Sequence, residues 1–571
     1  MKDDFQSERH IVRNRVAELS DIFSKLYDAA LHLVFIQFED SSTKPLKNTA
    51  GVCMATNNTN DAFKSRVSIN ILLNLVRTAL TAVIGLLMVP YYLRELGLST
   101  YAIITLSTSV TTYVLALTDP LGSSFARYMF KAIKNNNREE IDRTYSTSVI
   151  GMSRVLLILT PICLLISYLA PQLFNTGSVA DLEIRLLFAM VLLSSLIIAF
   201  STCLSCVFDA YNKMYITYAV KIVYILMQVA LILIFFNDFG ASLMYIGAAY
   251  VIAAIVMILI LWVCVKRTCP FLHISRKYYD RGTLRKIMGL GTWIILSNIG
   301  TLLYIDTSLI ICNMTMGAAE QGTFSIASNA ISIIGTAANT VSSVVSPLIY
   351  EAYSNRDNEE LMTTLHFFIK FIGCLIAFPI AFLMVFAPQV IETWLGTGYE
   401  AVYPMLYIML PGHVAVCSVK AMSMVSAAYE RVRPSAIGMI FFGLVNVVLA
   451  LTLPELTGWG TLAICFAWTL SMILSHAGFT VLYTAHLTGT SPKGLYTVIV
   501  KSYALFIILL AVGYGFTCCY TIHSTWLSLI FTFAVPLVIY VPLVIKYAFN
   551  NAEKHMMKSF MPQFMQNALH L

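Results

Sequence analysis

From residue 69 to residue 547 the chain alternates long apolar runs with short polar segments. About 14 of these runs are long enough to cross a hydrocarbon core of roughly 30 Å as a helix, at ~20 residues each. Lipid offers the backbone no hydrogen-bonding partner, so such runs must be helical. The pattern therefore predicts an all-α polytopic membrane protein. Its polar punctuation marks a segment 1–68, six spans over 69–264, a linker 265–286, six spans over 287–486, and two more spans with a tail over 487–571. In the first segment Val12, Val16, Leu19, Phe23, Leu26 and Ala30 recur at helical spacing, as in an interfacial amphipathic helix. No short apolar core with a cleavage site follows a basic start. Met54 opens a short polar lead into the first span and reads equally well as the true start, so residues 1–53 are expected to be dispensable.

The apolar pattern repeats. RYMFKAIKNNNREEI at 127–141 aligns with PLIYEAYSNRDNEEL at 347–361, at an offset of 220 that also places Gly97 on Gly317. Ala170-Pro171-Gln172 meets Ala387-Pro388-Gln389 at an offset of 217, and Ala210-Tyr211-Asn212-Lys213 meets Ala428-Tyr429-Glu430-Arg431 at 218. Each repeat holds six spans. An even number returns the chain to its starting side, so the two lobes are expected to share one orientation, with a cavity between them.

Composition sharpens the class. Of 571 residues, 58% are hydrophobic and 12% charged, with a mean hydropathy of +0.76. Soluble proteins carry about 25% charged residues, and so apolar a chain has too few groups to solvate its surface. The net charge of +7 does not require a nucleic-acid partner, because basic residues of membrane proteins gather in cytoplasmic loops. Here the loops after even-numbered spans are basic: one holds Arg127, Lys131, Lys134, Arg138 and Arg143, another Lys266, Arg267, Arg276, Lys277, Arg281, Arg285 and Lys286. Loops after odd-numbered spans carry Asp181, Asp238, Glu320, Glu392 and Glu455, with Arg94 and Arg185 as exceptions. Both termini are therefore expected in the cytoplasm.

Ionisable side chains inside spans are costly and commonly face a protein interior or a hydrated cavity. Arg77, Arg154, Lys370 and Lys420 fall in the expected cytoplasmic half of the first, third, ninth and tenth spans. Arg77, Arg154 and Lys420 are candidates to hold an anionic group; Lys370 and the others near helix ends can also snorkel to headgroups. Asp306, late in the seventh span, is a candidate cavity acid. His413, His476 and Asp119 are candidates for ion coupling. Pro90, Pro161, Pro347, Pro379 and Pro411-Gly412 interrupt spans, and Pro161 and Pro379 correspond in the repeat, which would suit helices that bend. Cys203 and Cys206 form a lone CxxC with no second pair for a tetrahedral zinc. No P-loop and no large external loop with paired carboxylates is present, so neither an enzymatic role nor a cofactor is expected.

The stretch NILLNLVRTALTAVIGLLMVPYYLRELGLSTYAIITLSTSVTTYVLALTD at 70–119 resembles the opening of the polysaccharide flippases of the multidrug/oligosaccharidyl-lipid/polysaccharide exporter superfamily. The resemblance rests on Pro90, Arg94-Glu95, Leu96-Gly97 and Tyr101, and further on Asp306, Gly317 and Phe324-Ser325-Ile326-Ala327. It covers about residues 65–490. The chain departs from the family pattern at Asp119-Pro120-Leu121-Gly122, where the family reads Asp-Leu-Gly, and at Cys312. The resemblance implies two six-helix lobes in a V shape plus two C-terminal helices, alternating access, and a polyprenyl-diphosphate-linked oligosaccharide as cargo. Polysaccharide polymerases and glycosyltransferases are then the expected partners. A sugar head cannot cross hydrocarbon unaided, because its hydroxyls would lose their hydrogen bonds. Competing readings are a cation-coupled multidrug exporter of the same superfamily, a membrane-embedded polymerase or ligase, and a scaffold without transport. The basic intramembrane charge argues against the first and the short external loops against the second.

The loop charges fix a testable topology. Reporter fusions after Gly122 and after Lys277 should both read cytoplasmic; an external signal at either position overturns the arrangement.

Overall fold

The computed structural model describes residues 59–135, 137–355, 358–519 and 524–560; the helical spacing over 11–36 and the extension 1–53 lie outside them. No strand occurs among the described residues, and the chain divides into two compact units.

The first unit runs to Ile299 and includes Gly317–Gly322. Its helices are α1 (Thr59–Leu96), α2 (Leu98–Lys134), α3 (Arg138–Leu173), α4 (Asp181–Ala210), α5 (Met214–Phe239), α6 (Leu243–Thr268) and most of α7 (Arg281–Leu302). α4 forms the centre, packed by α2, α3 and α6 and burying Phe188, Val191, Leu192 and Phe208. Small residues allow the close approach: a Cβ on Gly122 would lie 2.9 Å from Thr202, and one on Gly247 2.9 Å from Met190. The linker before α7 is tied to α3 through Ser146, whose hydroxyl donates to the His273 carbonyl and accepts from Ser275 N–H. Asp280 caps α7, accepting from Thr283 Oγ1 at 2.6 Å, Thr283 N at 2.8 Å and Gly282 N at 3.1 Å, and these hydrogen bonds hold its carboxyl below the usual range.

The second unit comprises Gly300–Met316 and the chain from Thr323 onward. It holds α8 (Ile305–Met316), most of α9 (Ala318–Ser354), α10 (Asn358–Val385), α11 (Ala387–Leu395), α12 (Val402–Ser418), α13 (Met422–Ala428), α14 (Val432–Thr457), α15 (Thr461–Ile473), α16 (Val481–Thr488), α17 (Pro492–Cys519), α18 (Trp526–Ala548) and α19 (Asn551–Phe560). α10 and α12 pack against each other and against α17, and α12 meets α15 where Gly412 faces Thr469.

Among the described residues, twelve helices are long and apolar enough to cross a membrane, or thirteen if the bent pair α7–α8 is one span. α9, 37 residues long, covers a further one of the fourteen expected runs. The bend of 41° in α7–α8 has a visible cause. Asn446, buried on α14, directs its Nδ2 at the carbonyls of Leu303 (2.9 Å) and Tyr304 (3.2 Å) and at Ser308 Oγ (3.0 Å). It thereby supplies a donor to the Leu303 carbonyl at the break and adds to the bond that Tyr304 O accepts from Ser308 N–H.

Two pairs of positions that the repeat aligns share their local backbone. Asn212 and Glu430 are the non-glycine residues with positive φ among those described, at +54° and +53°. Both close a helix in the same way: Lys213 N–H donates to Phe208 O (2.7 Å) and Asn212 N–H to Asp209 O, just as Arg431 N–H donates to Ser426 O (2.9 Å) and Glu430 N–H to Ala427 O. Gly97 and Gly317, at φ +79° and +96°, likewise both accept from the fourth following N–H, that of Tyr101 and of Gln321.

Lys370 does not snorkel. Its Nζ lies 2.7 Å from each carboxylate oxygen of Glu553 on α19 and 3.0 Å from the Ala548 carbonyl, with side-chain exposures of only 15% for the lysine and 8% for the glutamate. Phe549 lies beside the ammonium and packs on Phe367 and Phe371. Removing one member of such a buried pair strands the other's charge, at a cost of about 3–5 kcal/mol. Lys370→Met or Glu553→Gln alone should lower the melting temperature of the purified protein, and Lys370→Met with Glu553→Leu should recover most of the loss. A double variant no more stable than the singles would refute the pairing.

Candidate functional site

In the first unit the intramembrane charges come together in one group. Arg77 on α1 bonds through Nη2 to Asn74 Oδ1 at 3.1 Å and lies over the Tyr218 ring at 5.8 Å, while its Nε is buried without a hydrogen-bond partner. Lys221, on the same helix as Tyr218, feels the attraction of Asp119 and Asp209 and the repulsion of Arg77. Asp119 lies on α2, with its side chain exposed at the chain surface, and Asp209 on the last turn of α4. Lys221 is therefore the cation that offsets the two carboxylates, and Arg77 makes no salt bridge. Lys221 and Asp209 were not among the residues the sequence singled out. The signal for Lys221 was its position seven residues into the apolar α5, MYITYAVKIVY.

Arg154 is exposed, and its guanidinium belongs to the linker: Nη1 donates to Tyr279 Oη at 2.5 Å and the group lies over the Tyr279 ring at 4.2 Å. Cys203 and Cys206 are buried in α4, turned toward the carbonyls of Ser148 and Cys203.

In the second unit Lys420, His413 and His476 form another group, and it stands where helices lose their regular geometry. Pro411 and Gly412 precede His413 by one turn or less, and the Pro411 carbonyl accepts from the Tyr503 hydroxyl. Lys420 lies in a 3₁₀ turn, Val419–Ala421, and His476 in a π-helical turn, Leu474–Thr480; the two turns pack against each other. Lys420 Nζ donates to Asn339 Oδ1 at 2.5 Å and to the Gly335 carbonyl at 3.2 Å, and makes no salt bridge. His476 Nδ1 lies 3.2 Å from Met472 O, and its ring meets Tyr304 edge-on at 6.5 Å. His413 stacks on Trp468 at 6.1 Å, is 5% exposed, and has no hydrogen-bond partner at either ring nitrogen. Asp306 is half-buried in the first turn of α8, directly after the break that Asn446 braces, where the helix dipole favours an acid.

Helices long enough to span lipid, packed as two units with ionisable groups inside each, define a multi-pass membrane transporter fold. The chain belongs to the polysaccharide biosynthesis protein family, whose model matches residues 67–353. It is 26% identical over 429 residues to EpsK of Bacillus subtilis strain 168, described as an uncharacterized membrane protein, a match covering 74% of this chain and 84% of EpsK. The fold is that of a multidrug resistance MATE family transporter of the MOP superfamily in its inward-facing conformation (TM-score 0.62, 18% identity, 74% of this chain and 99% of that one). It is also that of the lipid II flippase MurJ in an inward closed conformation (TM-score 0.58, 17% identity, 83% of this chain and 99% of that one).

The balance of charge in the first unit predicts a mutational pattern. Lys221→Met leaves Asp119 and Asp209 without their cation and should lower thermal stability; Lys221→Met with Asp209→Asn should be the more stable of the two. Equal melting temperatures would refute the coupling.

Proposed function

We propose that the protein carries a polyprenyl-diphosphate-linked oligosaccharide across the cell membrane by alternating access, with both termini in the cytoplasm. The observation that supports this best is that Arg77 and Lys420, each set inside a span, are not consumed by salt bridges. Structural cations are commonly paired, as Lys370 is with Glu553. An unpaired cation held in a lowered dielectric is suited to meet a diphosphate, for which charge-assisted contacts are stronger than at a wet surface. MurJ, named as a lipid II flippase, offers a precedent for lipid-linked cargo on this fold. Glycosyltransferases would supply the cargo on one face and a polymerase would consume it on the other. In this reading Arg77 and Lys420 are the cavity cations, Asp306 a contact for sugar hydroxyls, and Arg154 an anchor for the linker.

The carboxylates Asp119 and Asp209 favour a second reading, a cation-coupled multidrug exporter. Lys221 beside them already supplies a cation, which disfavours a cationic drug at that place.

The test uses a strain lacking the gene and complemented with variants. Arg77→Ala should lower surface polysaccharide by about 10- to 100-fold at equal protein level, the factor that corresponds to the ~1.5–3 kcal/mol of a hydrogen bond to a charged group. Arg77→Lys should keep part of the activity, since charge survives but the two-pronged geometry does not. Normal polysaccharide from a well-expressed Arg77→Glu variant, or drug resistance in place of polysaccharide, overturns the proposal.

A further inference from the structure

The starts of α3 and α7 meet the end of α2 around a cavity of about 360 Å³, wholly within the first unit. Small-molecule sites commonly measure roughly 300–1,000 Å³. Tyr128 and Lys131 reach the cavity from the last two turns of α2, Glu139, Glu140 and Arg143 from the first two turns of α3, and Lys286 from the second turn of α7. The three cations belong to the basic loops that charge asymmetry assigns to the cytoplasm. Helix starts attract anions through their open N–H groups, but here both starts are capped. Asn137 Oδ1 accepts from Glu140 N–H at 3.2 Å, and Asp280 takes the N–H groups of Gly282 and Thr283. A ligand is therefore left to the side chains. Arg143 is already engaged, with Nη2 3.1 Å from Glu139 Oε1 and Asp280 attracting it as well. Lys131 and Lys286 are not: both are exposed, and neither ammonium makes an ion pair or a hydrogen bond among the described residues. Two carboxylates line the same cavity, so opposite charges stand there without closing on each other.

That mixture of walls selects a ligand. A phosphate by itself, free or on a lipid, asks only for cations and is repelled by Glu139 and Glu140. An ionised carboxylate accepts hydrogen bonds and cannot donate them, so it asks for hydroxyl or amine protons. A nucleotide offers both, with phosphates for the ammonium groups and a ribose diol for a carboxylate, and its base has a π-face that can stack on an aromatic ring. We infer that this cavity binds a nucleoside diphosphate, with Lys131 and Lys286 on the phosphates, Glu140 on the ribose hydroxyls and Tyr128 on the base. The use of such a site rests on the proposed function. Glycosyl transfer on the cytoplasmic face consumes nucleotide-activated sugars and releases nucleoside diphosphates. With walls from α2, α3 and α7, the cavity lets a bound nucleotide fasten the end of the linker to the α2–α3 turn. Its occupancy then reports the progress of cargo synthesis to the linker.

The experiment measures binding of radiolabelled uridine diphosphate to the full-length protein in phosphatidylcholine nanodiscs, with uridine and pyrophosphate as competitors. It is repeated in nanodiscs that contain phosphatidylglycerol. The variants are Lys131→Gln, Lys286→Gln and Glu140→Gln, and melting curves establish that each is folded. The expected result is that wild-type protein binds uridine diphosphate in both membranes and uridine does not displace it. Each lysine variant should bind about tenfold or more weakly, as for a lost charge-assisted contact. Glu140→Gln separates the sources of phosphate by sign: it should weaken the nucleotide, whereas a site for phosphate alone loses a repelling charge and binds more tightly. Tighter binding of uridine diphosphate and pyrophosphate by Glu140→Gln, or loss of wild-type binding in phosphatidylglycerol, overturns the nucleotide assignment in favour of a free or lipid phosphate. Folded lysine variants that bind as wild type does, or wild-type protein that binds no uridine diphosphate, overturn the site. Flipping of lipid-linked saccharide in liposomes is scored separately. A protein that transports and binds no nucleotide sinks this site and leaves the proposed function standing. Lysine-dependent nucleotide binding in a protein that moves no lipid-linked saccharide does the reverse.

Discussion

A chain in lipid must satisfy its own backbone, and the second unit is organised around the places where it departs from that rule. An α-helix does so by itself; any other conformation needs help from a neighbour. The departures are the break at Leu303–Tyr304, the 3₁₀ turn at Val419–Ala421, and the π-helical turn at Leu474–Thr480. Asn446 serves the first directly. The other two pack on each other, and Lys420 reaches from one of them to a carbonyl of α9. Asp306, Lys420 and His476 sit at or beside these three departures, and His413 follows the Pro411-Gly412 interruption. Irregular backbone and buried ionisable groups are thus one arrangement, in which each makes room for the other.

The first unit meets the same burden differently. Lys221 projects from an uninterrupted helical segment, and its charge and those of Asp119 and Asp209 offset one another across helix boundaries. Mutual attraction there lowers the desolvation cost of all three. The two units carry the same helix-closing turns, at Asn212 and Glu430, and yet hold their charges by unlike means.

Helices and membrane residence were legible in the sequence because lipid leaves the backbone so few options, and hydropathy reports them directly. The likeness of the turns before Lys213 and Arg431 was legible too, since a left-handed cap leaves a local residue pattern. Partnerships were not. Nothing near Lys370 in sequence points to Glu553, which lies 183 residues away, and nothing near Arg154 points to Tyr279, 125 residues away. Depth within a span reports that a charge is expensive; it does not report what has been placed beside it. Asp209 escaped notice for a related reason, because it looks ordinary until the helices bring it to Lys221, whose own signal was a charge inside an apolar helix.

The pair formed by Lys370 and Glu553 bears on how the protein is made. Translation delivers Lys370 long before Glu553, so the lysine enters the membrane environment while the carboxylate it pairs with has yet to leave the ribosome. Throughout the synthesis of α11 to α18, α10 holds a charge without its counter-ion. The second unit therefore cannot reach its final packing until α19 has been made, and quality control that senses exposed intramembrane charge has a built-in measure of whether that helix has been added.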